Sequence, residues 1–326
     1  MLSLREPVRI ITKSTILSLS AGAMLLGILS ENGMKCALRA IQNYTKNERE
    51  SILHEDYKSL ICIDCSEKDF SSQSTTAQFL DATAVYDELD FEKEKFAHVG
   101  IIGIVATAHE HNQSVIIPDQ LLQDGLKTQI MNTEIKELRN IDNAFFESLT
   151  IQFHGARMKI IEVASLVSAT ARMGKTTVAV SALLGDTNAQ SKVVQHWGEF
   201  QRELAAALEW CKKNEKEIYR YMGVSIINMK DFAAPHLTGS IAAHFAKESK
   251  SFALVMAYAA DKRVRVSLRC HNQDTIQLLS KILEGIDCEY GGDTYEAGGS
   301  FFRDDEEQFV SAAKKVLEKA CVEESV

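Results

Sequence analysis

The first half of the chain alternates short apolar strands with apolar helices, and this alternation restricts the fold more than any other feature. Strands are predicted at residues 8–12, 35–41 and 59–63, with a helix at 19–32 between the first two. Residues 98–109 are apolar and contain two glycines, which predicts a buried helix. Strand–helix–strand units fold as parallel strands joined by crossover helices. We therefore expect an α/β fold that begins with a helix-covered parallel sheet.

The chain also has room for a second domain. Its 326 residues exceed the usual length of a single domain. A long amphipathic helix is predicted at 196–220, and a second pattern of strands and helices follows it. Helices of this kind commonly bridge domains. The predicted organisation is an N-terminal parallel-sheet domain at 1–192, a connecting helix at 193–222 and a smaller C-terminal α/β domain at 223–326.

Charge and cysteine content restrict the functional classes. The formal net charge of −9 argues against non-specific nucleic-acid binding, because that affinity comes from basic side chains that neutralise phosphates. Any nucleic-acid contact is expected to be local or made by a partner. The seven cysteines are scattered and odd in number, which is typical of a reducing cytoplasm. Cys62 and Cys65 fit a C-x-x-C pattern, but residues three apart on a strand face opposite sides, so no redox or metal site is expected there.

The beginning of the chain imitates a signal peptide. Arg5, Arg9 and Lys13 precede an apolar run at 16–29. That run contains serines and is shorter than a membrane span. A strand that enters a buried helix explains the pattern better, and no membrane association is expected.

Residues 264–301 combine a strand, a helix and a glycine-rich stretch. Apolar and polar side chains alternate along 264–269, which predicts a strand, and an amphipathic helix follows. The glycines after the helix predict a loop. Arginine and serine beside such a loop suit phosphate binding, because arginine makes bidentate charge-assisted hydrogen bonds and glycine lets a ligand approach the backbone. A tight turn beside an ordinary surface arginine is the alternative. The candidate contacts are Ser267, Arg269, Gly291, Gly292, Gly298 and Gly299.

The strand VRVSLR and the frame GGDTYEAGG resemble the C-terminal nucleic-acid-binding (DHHA1) domain of the DHH phosphoesterase superfamily, which includes RecJ. In that family the frame reads G-G-H-x-x-A-A-G-G. Here Asp293 replaces the histidine and Glu296 replaces the first alanine. The resemblance implies a DHH-like N-terminal domain followed by a DHHA1-like C-terminal domain, with the glycine frame retained and its polar residues changed.

A second segment carries the same resemblance. Residues 168–186 resemble a stretch of archaeal RecJ-like proteins that reads N-A-C-G-R-M-G-K and continues into a small-residue helix and Gly-Asp. The GKTT that starts at Gly174 also invites comparison with a phosphate-binding P-loop. That motif needs a glycine five residues earlier, where this chain has Ala169. The resemblance instead assigns Arg172 to the nucleic-acid contacts.

Active members of the superfamily bind manganese or magnesium through histidine and aspartate residues of four motifs. The resemblance places these residues of the chain at the ligand positions: Lys13, Thr15, Leu17, Asp64, Asp81 and Thr107. Lysine is a cation and leucine has no donor atom, whereas hard divalent cations need oxygen ligands. Two carboxylates remain, and a two-metal phosphodiesterase needs both ions held. The resemblance therefore implies an inactive site without a metal cofactor.

These features lead to a non-enzymatic, cytoplasmic DNA replication factor. The chain is similar to archaeal RecJ-like proteins that bind GINS and to the RecJ-derived subunit of the eukaryotic replicative helicase. The resemblance thus implies GINS as the partner and the MCM helicase as an indirect one. It leaves open whether Arg172, Arg269 and the glycine loop guide single-stranded DNA.

Two alternatives belong to other functional classes. The first is a manganese- or magnesium-dependent single-strand exonuclease or phosphodiesterase with a non-standard metal site made of Asp64, Asp81 and His109. The second is a regulatory domain that binds a nucleotide in the old cleft without cleaving it.

Overall fold

The computed structural model of the chain describes residues 4–13, 15–41, 52, 57–64, 76–86, 93–111, 119–128, 149–249, 252–270, 273–292 and 294–324. The chain divides into two compact units, Met1–Gly198 and Glu199–Val326. Each unit contains a sheet with helices packed on it, so the predicted α/β class is confirmed.

The N-terminal unit is built on a sheet with the strand order β2-β1-β3-β4. All neighbouring strands of this sheet are parallel, as predicted from the strand–helix alternation. A separate hairpin, β5-β6, follows later in the chain. The strands are β1 (Val8–Lys13), β2 (Cys36–Ile41), β3 (Ser59–Ile63), β4 (Thr76–Leu80), β5 (Thr150–Phe153) and β6 (Ala156–Lys159). The helices are α1 (Ile16–Glu31), α2 (Ala97–His111), α3 (Asp119–Thr128), α4 (Ile160–Arg172), α5 (Thr176–Leu183) and the start of α6 (Thr187–Lys213).

Helix α1 lies in the centre of the N-terminal core, and most of its residues are buried. It begins at Ile16 rather than at residue 19 as predicted, because the Thr15 side chain caps it by accepting a hydrogen bond from the Ser18 amide at 3.3 Å. Helix α2 packs closely against it. A β-carbon added at Gly103 would lie 2.7 Å from Cβ of Ser20, so this position needs glycine. No helix in the described ranges is long and apolar enough to cross a bilayer.

Helix α6 differs from its prediction at both ends. It runs from Thr187 to Lys213, whereas the sequence predicted 196–220. Its early start follows from Asp186, whose carboxylate accepts hydrogen bonds from the amides of Asn188 at 2.8 Å and Ala189 at 3.0 Å. It ends early because residues 219–221 pair with a neighbouring strand instead of continuing the helix. The division between the two units falls inside this helix.

The C-terminal unit is built on a sheet with the strand order β11-β12-β10-β9-β8-β7. Strands β8 and β9 are parallel and the other neighbours are antiparallel. The strands are β7 (Tyr219–Tyr221), β8 (Val224–Asn228), β9 (Phe252–Tyr258), β10 (Arg263–Arg269), β11 (Cys288–Gly292) and β12 (Glu296–Phe302). The helices that follow α6 are α7 (Thr238–Ser249), α8 (Thr275–Ile282) and α9 (Glu306–Glu324).

The side chains of strand β10 alternate between the two faces of this sheet. Val264, Val266 and Leu268 are buried in a core that includes Leu279 of α8 and Phe309 of α9. Because side chains alternate along a strand, the odd-numbered residues of β10 lie on the opposite face.

The four glycines of the C-terminal frame do not form the predicted loop. They belong to β11 and β12, where Gly291 lies opposite Gly298. A β-carbon on Gly299 would lie 2.7 Å from the carbonyl oxygen of Glu289, and one on Gly292 would lie 2.2 Å from that of Glu296. The glycines therefore allow two strands to approach each other closely, which a loop prediction from glycine content alone overlooks.

Candidate functional site

The carboxyl edge of the N-terminal sheet brings together several of the residues predicted at the metal positions. Lys13 ends β1, Asp64 follows β3 and Asp81 follows β4. The register places Thr12 opposite Ile63, and Ile63 opposite Leu80, so these three chain positions lie side by side. The side chain of Lys13 lies outside the described part of the structure. We refer to these positions, with Thr15 at the start of α1, as the carboxyl edge.

Asp64 is held by hydrogen bonds to two different elements. Its Oδ2 accepts from Oγ of Ser18 in α1 at 2.5 Å, and its Oδ1 accepts from the amide of Ala82 at 2.9 Å. Its own amide donates to the carbonyl of Leu80 at 2.9 Å, and its φ of 55° lies in the left-handed region that aspartate tolerates. The carboxylate thus ties α1 to the turn after β4.

Ser18 is a site residue that the sequence reading missed. It is 1% exposed, and its hydroxyl oxygen lies 2.8 Å from Oγ1 of Thr15 as well as in contact with Asp64. A serine three residues after the Thr15 cap was the available signal, since such a residue lies beside the cap on the helix surface. Leu17, at which the resemblance places a metal ligand, is partly buried against the hydrophobic core.

Asp81 and Thr107 differ in their surroundings. Asp81 is exposed, and one of its oxygens accepts hydrogen bonds from the amide of Thr83 at 2.8 Å and from its hydroxyl at 2.5 Å. Thr107 lies in α2, one turn after Gly103, which packs against the backbone of Leu17. Residues four apart share one helix face, so Thr107 lies towards the start of α1. His109 belongs to α2, and its side chain is outside the described residues.

The described side chains of the carboxyl edge do not form a binuclear metal centre. Both oxygens of Asp64 accept protein hydrogen bonds, and Asp81 is engaged by Thr83. Within the described ranges, no group of three or more histidine, cysteine, aspartate or glutamate side chains could hold a metal ion. Hard cations need a cluster of oxygen ligands, which the hydroxyls of Thr15 and Ser18 and the two engaged carboxylates do not supply for two ions.

The GKTT segment lies at a corner between two helices. Arg172 ends α4, the amide of Gly174 donates to the carbonyl of Ala171 at 2.9 Å, and Lys175 precedes α5. Gly174 has a φ of 77°, which is typical of a residue that follows a helix. Because a helix and not a strand leads into it, this segment is not a P-loop. Arg172, half-buried, lies where a cation interacts favourably with the last carbonyls of its helix.

Cysteine chemistry is not supported by the described thiols. Burial raises the pKa of Cys36 and Cys288, and raises that of Cys211 to about 11. At neutral pH these groups are protonated thiols and poor nucleophiles. Cys62 is buried in β3, and Cys65 lies outside the described residues, so the C-x-x-C pattern has no described geometry.

In the C-terminal unit, Ser267 and Arg269 lie on the same face of β10, as their alternation predicted. Ser267 lies opposite Gly298 and is 8% exposed. Arg269 lies opposite Glu296, and the two side chains form an ion pair. Glu296 is the residue that replaces an alanine of the resembled frame, so the predicted nucleic-acid contact is paired with a carboxylate of its own chain.

The other arginines of this face are paired as well. Arg263 lies 3.5 Å from an oxygen of Glu289, and Arg265 lies 2.9 Å from one of Asp261. Arg263 also lies over the ring of Phe302, 4.7 Å from its centroid. We call this surface the arginine face, and it consists of Arg263, Arg265, Ser267 and Arg269. Its three arginines are balanced by the three carboxylates beside them.

The sequence matches no protein-family model, and no curated protein resembles it at a significant level. Similarity appears in solved structures. RecJ from Thermus thermophilus in complex with manganese aligns with a TM-score of 0.65 and 12% identity, over 96% of this chain and 52% of that chain. The chain thus spans about half the length of that RecJ.

Two further structures cover more of their own length. An exonuclease RecJ bound to manganese aligns with a TM-score of 0.60 and 14% identity, over 96% of this chain and 89% of that chain. CDC45 from Entamoeba histolytica aligns with a TM-score of 0.59 and 8% identity, over 95% of both chains. The chain therefore has the RecJ-like fold that the sequence motifs predicted.

Proposed function

We propose that this RecJ-like chain is a catalytically inactive DNA replication factor that binds GINS and, through it, the MCM helicase. The observation that carries inactivity is the carboxyl edge itself. Asp64 uses both oxygens to connect α1 with the turn after β4, and Leu17 packs on the core at a position where a metal ligand would be needed. The two carboxylates that remain among the described ligand positions, Asp64 and Asp81, are both engaged by the protein, and two ions need more ligands than these supply.

The replication role rests on the sequence resemblance to GINS-binding RecJ-like proteins and to the RecJ-derived helicase subunit. It is supported by the similarity in fold to CDC45, which extends over 95% of both chains. The formal net charge of −9 also suits protein partners better than extended contact with nucleic acid. We also propose a cytoplasmic location, supported by six free cysteines among the described residues.

A nuclease assay separates this proposal from the enzymatic alternative. End-labelled single-stranded DNA and RNA should remain intact with excess protein and manganese or magnesium. Cleavage that disappears in Asp64→Ala, with circular dichroism showing that the variant is folded, would instead support an exonuclease with a metal site made of Asp64, Asp81 and His109. Cleavage that persists in Asp64→Ala would indicate a contaminant or another site.

The partner is tested directly by co-purification. GINS at micromolar concentration should be retained by the immobilised full-length chain, and MCM should be retained only when GINS is present. Failure to retain GINS would contradict the proposed function. Retention of MCM alone would contradict the indirect contact.

A further inference from the structure

The pair between Arg269 and Glu296 is a consequence of strand register. The two residues lie directly opposite each other in β10 and β12. Opposite residues on one face of an antiparallel pair have their β-carbons about 5 Å apart, so the backbone itself holds the carboxylate against the guanidinium. The two side chains are 16% and 26% exposed. Solvent therefore screens this pair less than a pair on the open surface.

Several groups beside the pair could assist in binding an anion. Gly239, at the start of α7, lies above it, and a β-carbon added there would be 3.7 Å from Oγ of Ser267 and 3.9 Å from Nη2 of Arg269. The Nε of Arg269 is buried and has no hydrogen-bond partner in the described part of the chain. Ser267 and Gly298 lie opposite each other on the same two strands, two residues away from Arg269 and Glu296. A hydroxyl, an N–H group and a glycine backbone thus lie beside the guanidinium group that the Glu296 carboxylate engages.

We propose that Glu296 substitutes for a nucleic-acid phosphate and decides whether the arginine face binds single-stranded DNA. This inference rests on the proposed role of the chain in DNA replication and on the nucleic-acid contact that the sequence resemblance implies for that face. Carboxylate and phosphate oxygens both accept the paired N–H groups of a guanidinium, so they compete for Arg269. The carboxylate is attached to the same sheet and is present at a high effective concentration, whereas a phosphate must come from solution. With Glu296 in place, the face is closed to DNA.

The prediction is a gain of binding when only the charge of Glu296 is removed. Glu296→Gln keeps the size and shape of the side chain and leaves Arg269 free to pair with a phosphate. Binding of fluorescently labelled oligo(dT), followed by anisotropy at low salt, should become about tenfold tighter than for the wild-type chain. The slope of log K against log salt should become steeper by about 0.7, which corresponds to one additional phosphate contact on a single strand.

Two variants test the cause of that gain. Glu215→Gln removes the same charge from the same unit, beside Arg220, whose guanidinium lies 3.2 Å from Glu215. It should change the affinity by no more than about twofold, because salt screens the effect of a charge that is removed away from the arginine face. The double variant Arg269→Ala/Glu296→Gln should lose the gain entirely. Equal gains in Glu296→Gln and Glu215→Gln, or a gain that survives in the double variant, would overturn the proposal.

The outcome can be separated from that of the proposed function. Circular dichroism and thermal unfolding establish first that each variant is folded, and Glu296→Ala provides a second removal of the charge. If the wild-type chain fails to retain GINS while Glu296→Gln gains oligo(dT) binding, the replication role is wrong and the role of Glu296 stands. If GINS is retained and neither Glu296 variant gains affinity, the role of Glu296 is wrong and the replication role stands.

Discussion

At the carboxyl edge of the N-terminal sheet, this chain has other residues at most of the positions where the resemblance predicts metal ligands. On the arginine face, the residues that the resemblance predicts for nucleic-acid contact are present, and carboxylates lie beside them. Leu17 packs against the core, where it is partly buried, and Asp64 connects α1 with the turn after β4. Arg269, in contrast, lies on the same face as Ser267 and forms an ion pair with Glu296. A metal ligand introduced at Leu17 would remove apolar packing and lower stability. A neutralised cation can be released by a single substitution.

The largest expected effect tests the structural role of Asp64. Asp64→Ala should lower the free energy of unfolding by about 3 kcal/mol, because the buried hydroxyl of Ser18 and the amide of Ala82 both lose a charged acceptor. Urea unfolding followed by circular dichroism measures this difference. Asp81→Ala is the matched control, since that carboxylate is exposed and engages only Thr83, and it should cost less than about 1 kcal/mol. Equal costs for both variants would remove the distinction on which the comparison depends.

A smaller effect should distinguish the two units by pH. His98 in α2 is 6% exposed, and its burial lowers its pKa from 6.5 to about 4. The folded N-terminal unit therefore holds the imidazole neutral, so its stability is full above pH 6.5 and decreases as the pH falls towards 4. Between pH 7.5 and pH 5 the loss amounts to about 2 kcal/mol. In the C-terminal unit, a hydrogen bond to Glu318 raises the pKa of Tyr219 to about 12, and burial does the same for Tyr258. Their contributions are lost as the pH rises from 10 to 12.

The two tryptophans allow this difference to be measured. Trp197 belongs to the N-terminal unit and packs against its core, and Trp210 belongs to the C-terminal unit and stacks on Phe232 at 5.2 Å between centroids. In Trp210→Phe, the fluorescence of the remaining Trp197 reports acid unfolding of the N-terminal unit. In Trp197→Phe, the fluorescence of Trp210 reports acid unfolding of the C-terminal unit. His98→Gln should remove most of the acid dependence seen in Trp210→Phe, whereas the exposed His154→Gln should not. The prediction would be contradicted if the fluorescence of the two tryptophans reported acid unfolding of both units at the same pH and His98→Gln did not change that pH.

The smallest effect concerns the most exposed pair of the arginine face. The side chains of Arg265 and Asp261 are 27% and 49% exposed, so solvent weakens their attraction more than that of Arg269 and Glu296. Asp261→Asn should change the free energy of unfolding by less than about 0.5 kcal/mol. It should improve oligo(dT) binding by about twofold at most, because Arg265 is already accessible to a competing anion. An improvement as large as that of Glu296→Gln would show that the burial of an ion pair does not determine how strongly its carboxylate keeps the arginine from binding DNA.

The parallel sheet and the convergence of the carboxyl edge could be predicted from the sequence, because alternating strands and helices place successive strand ends together. The start of α6 could not, because Asp186 was interpreted as part of a family segment rather than as a helix cap. The glycine-rich stretch was interpreted as a loop, since glycine is common in turns and the same residue also allows strands to pack closely.

The partner of Arg269 was outside the reach of sequence reasoning for a different reason. The ion pair depends on the register between β10 and β12, and a shift of one residue would place Glu296 on the other face of the sheet. The sequence showed that Glu296 departs from the family frame, but only the strand pairing shows which cation it meets. Ser18 is similar, since its role depends on a strand end that follows much later in the chain.

The burial of α1 has a consequence for the synthesis of the chain. This helix is translated before the helices that pack on it, among them α2 and α4, which begin at residues 97 and 160. At 5–20 residues per second, the interval between the end of α1 at residue 31 and the end of α4 at residue 172 takes roughly 10 s. Throughout that interval the apolar surface of α1 lacks some of the helices that bury it in the folded unit. The nascent chain therefore exposes that surface to chaperones until the N-terminal unit folds.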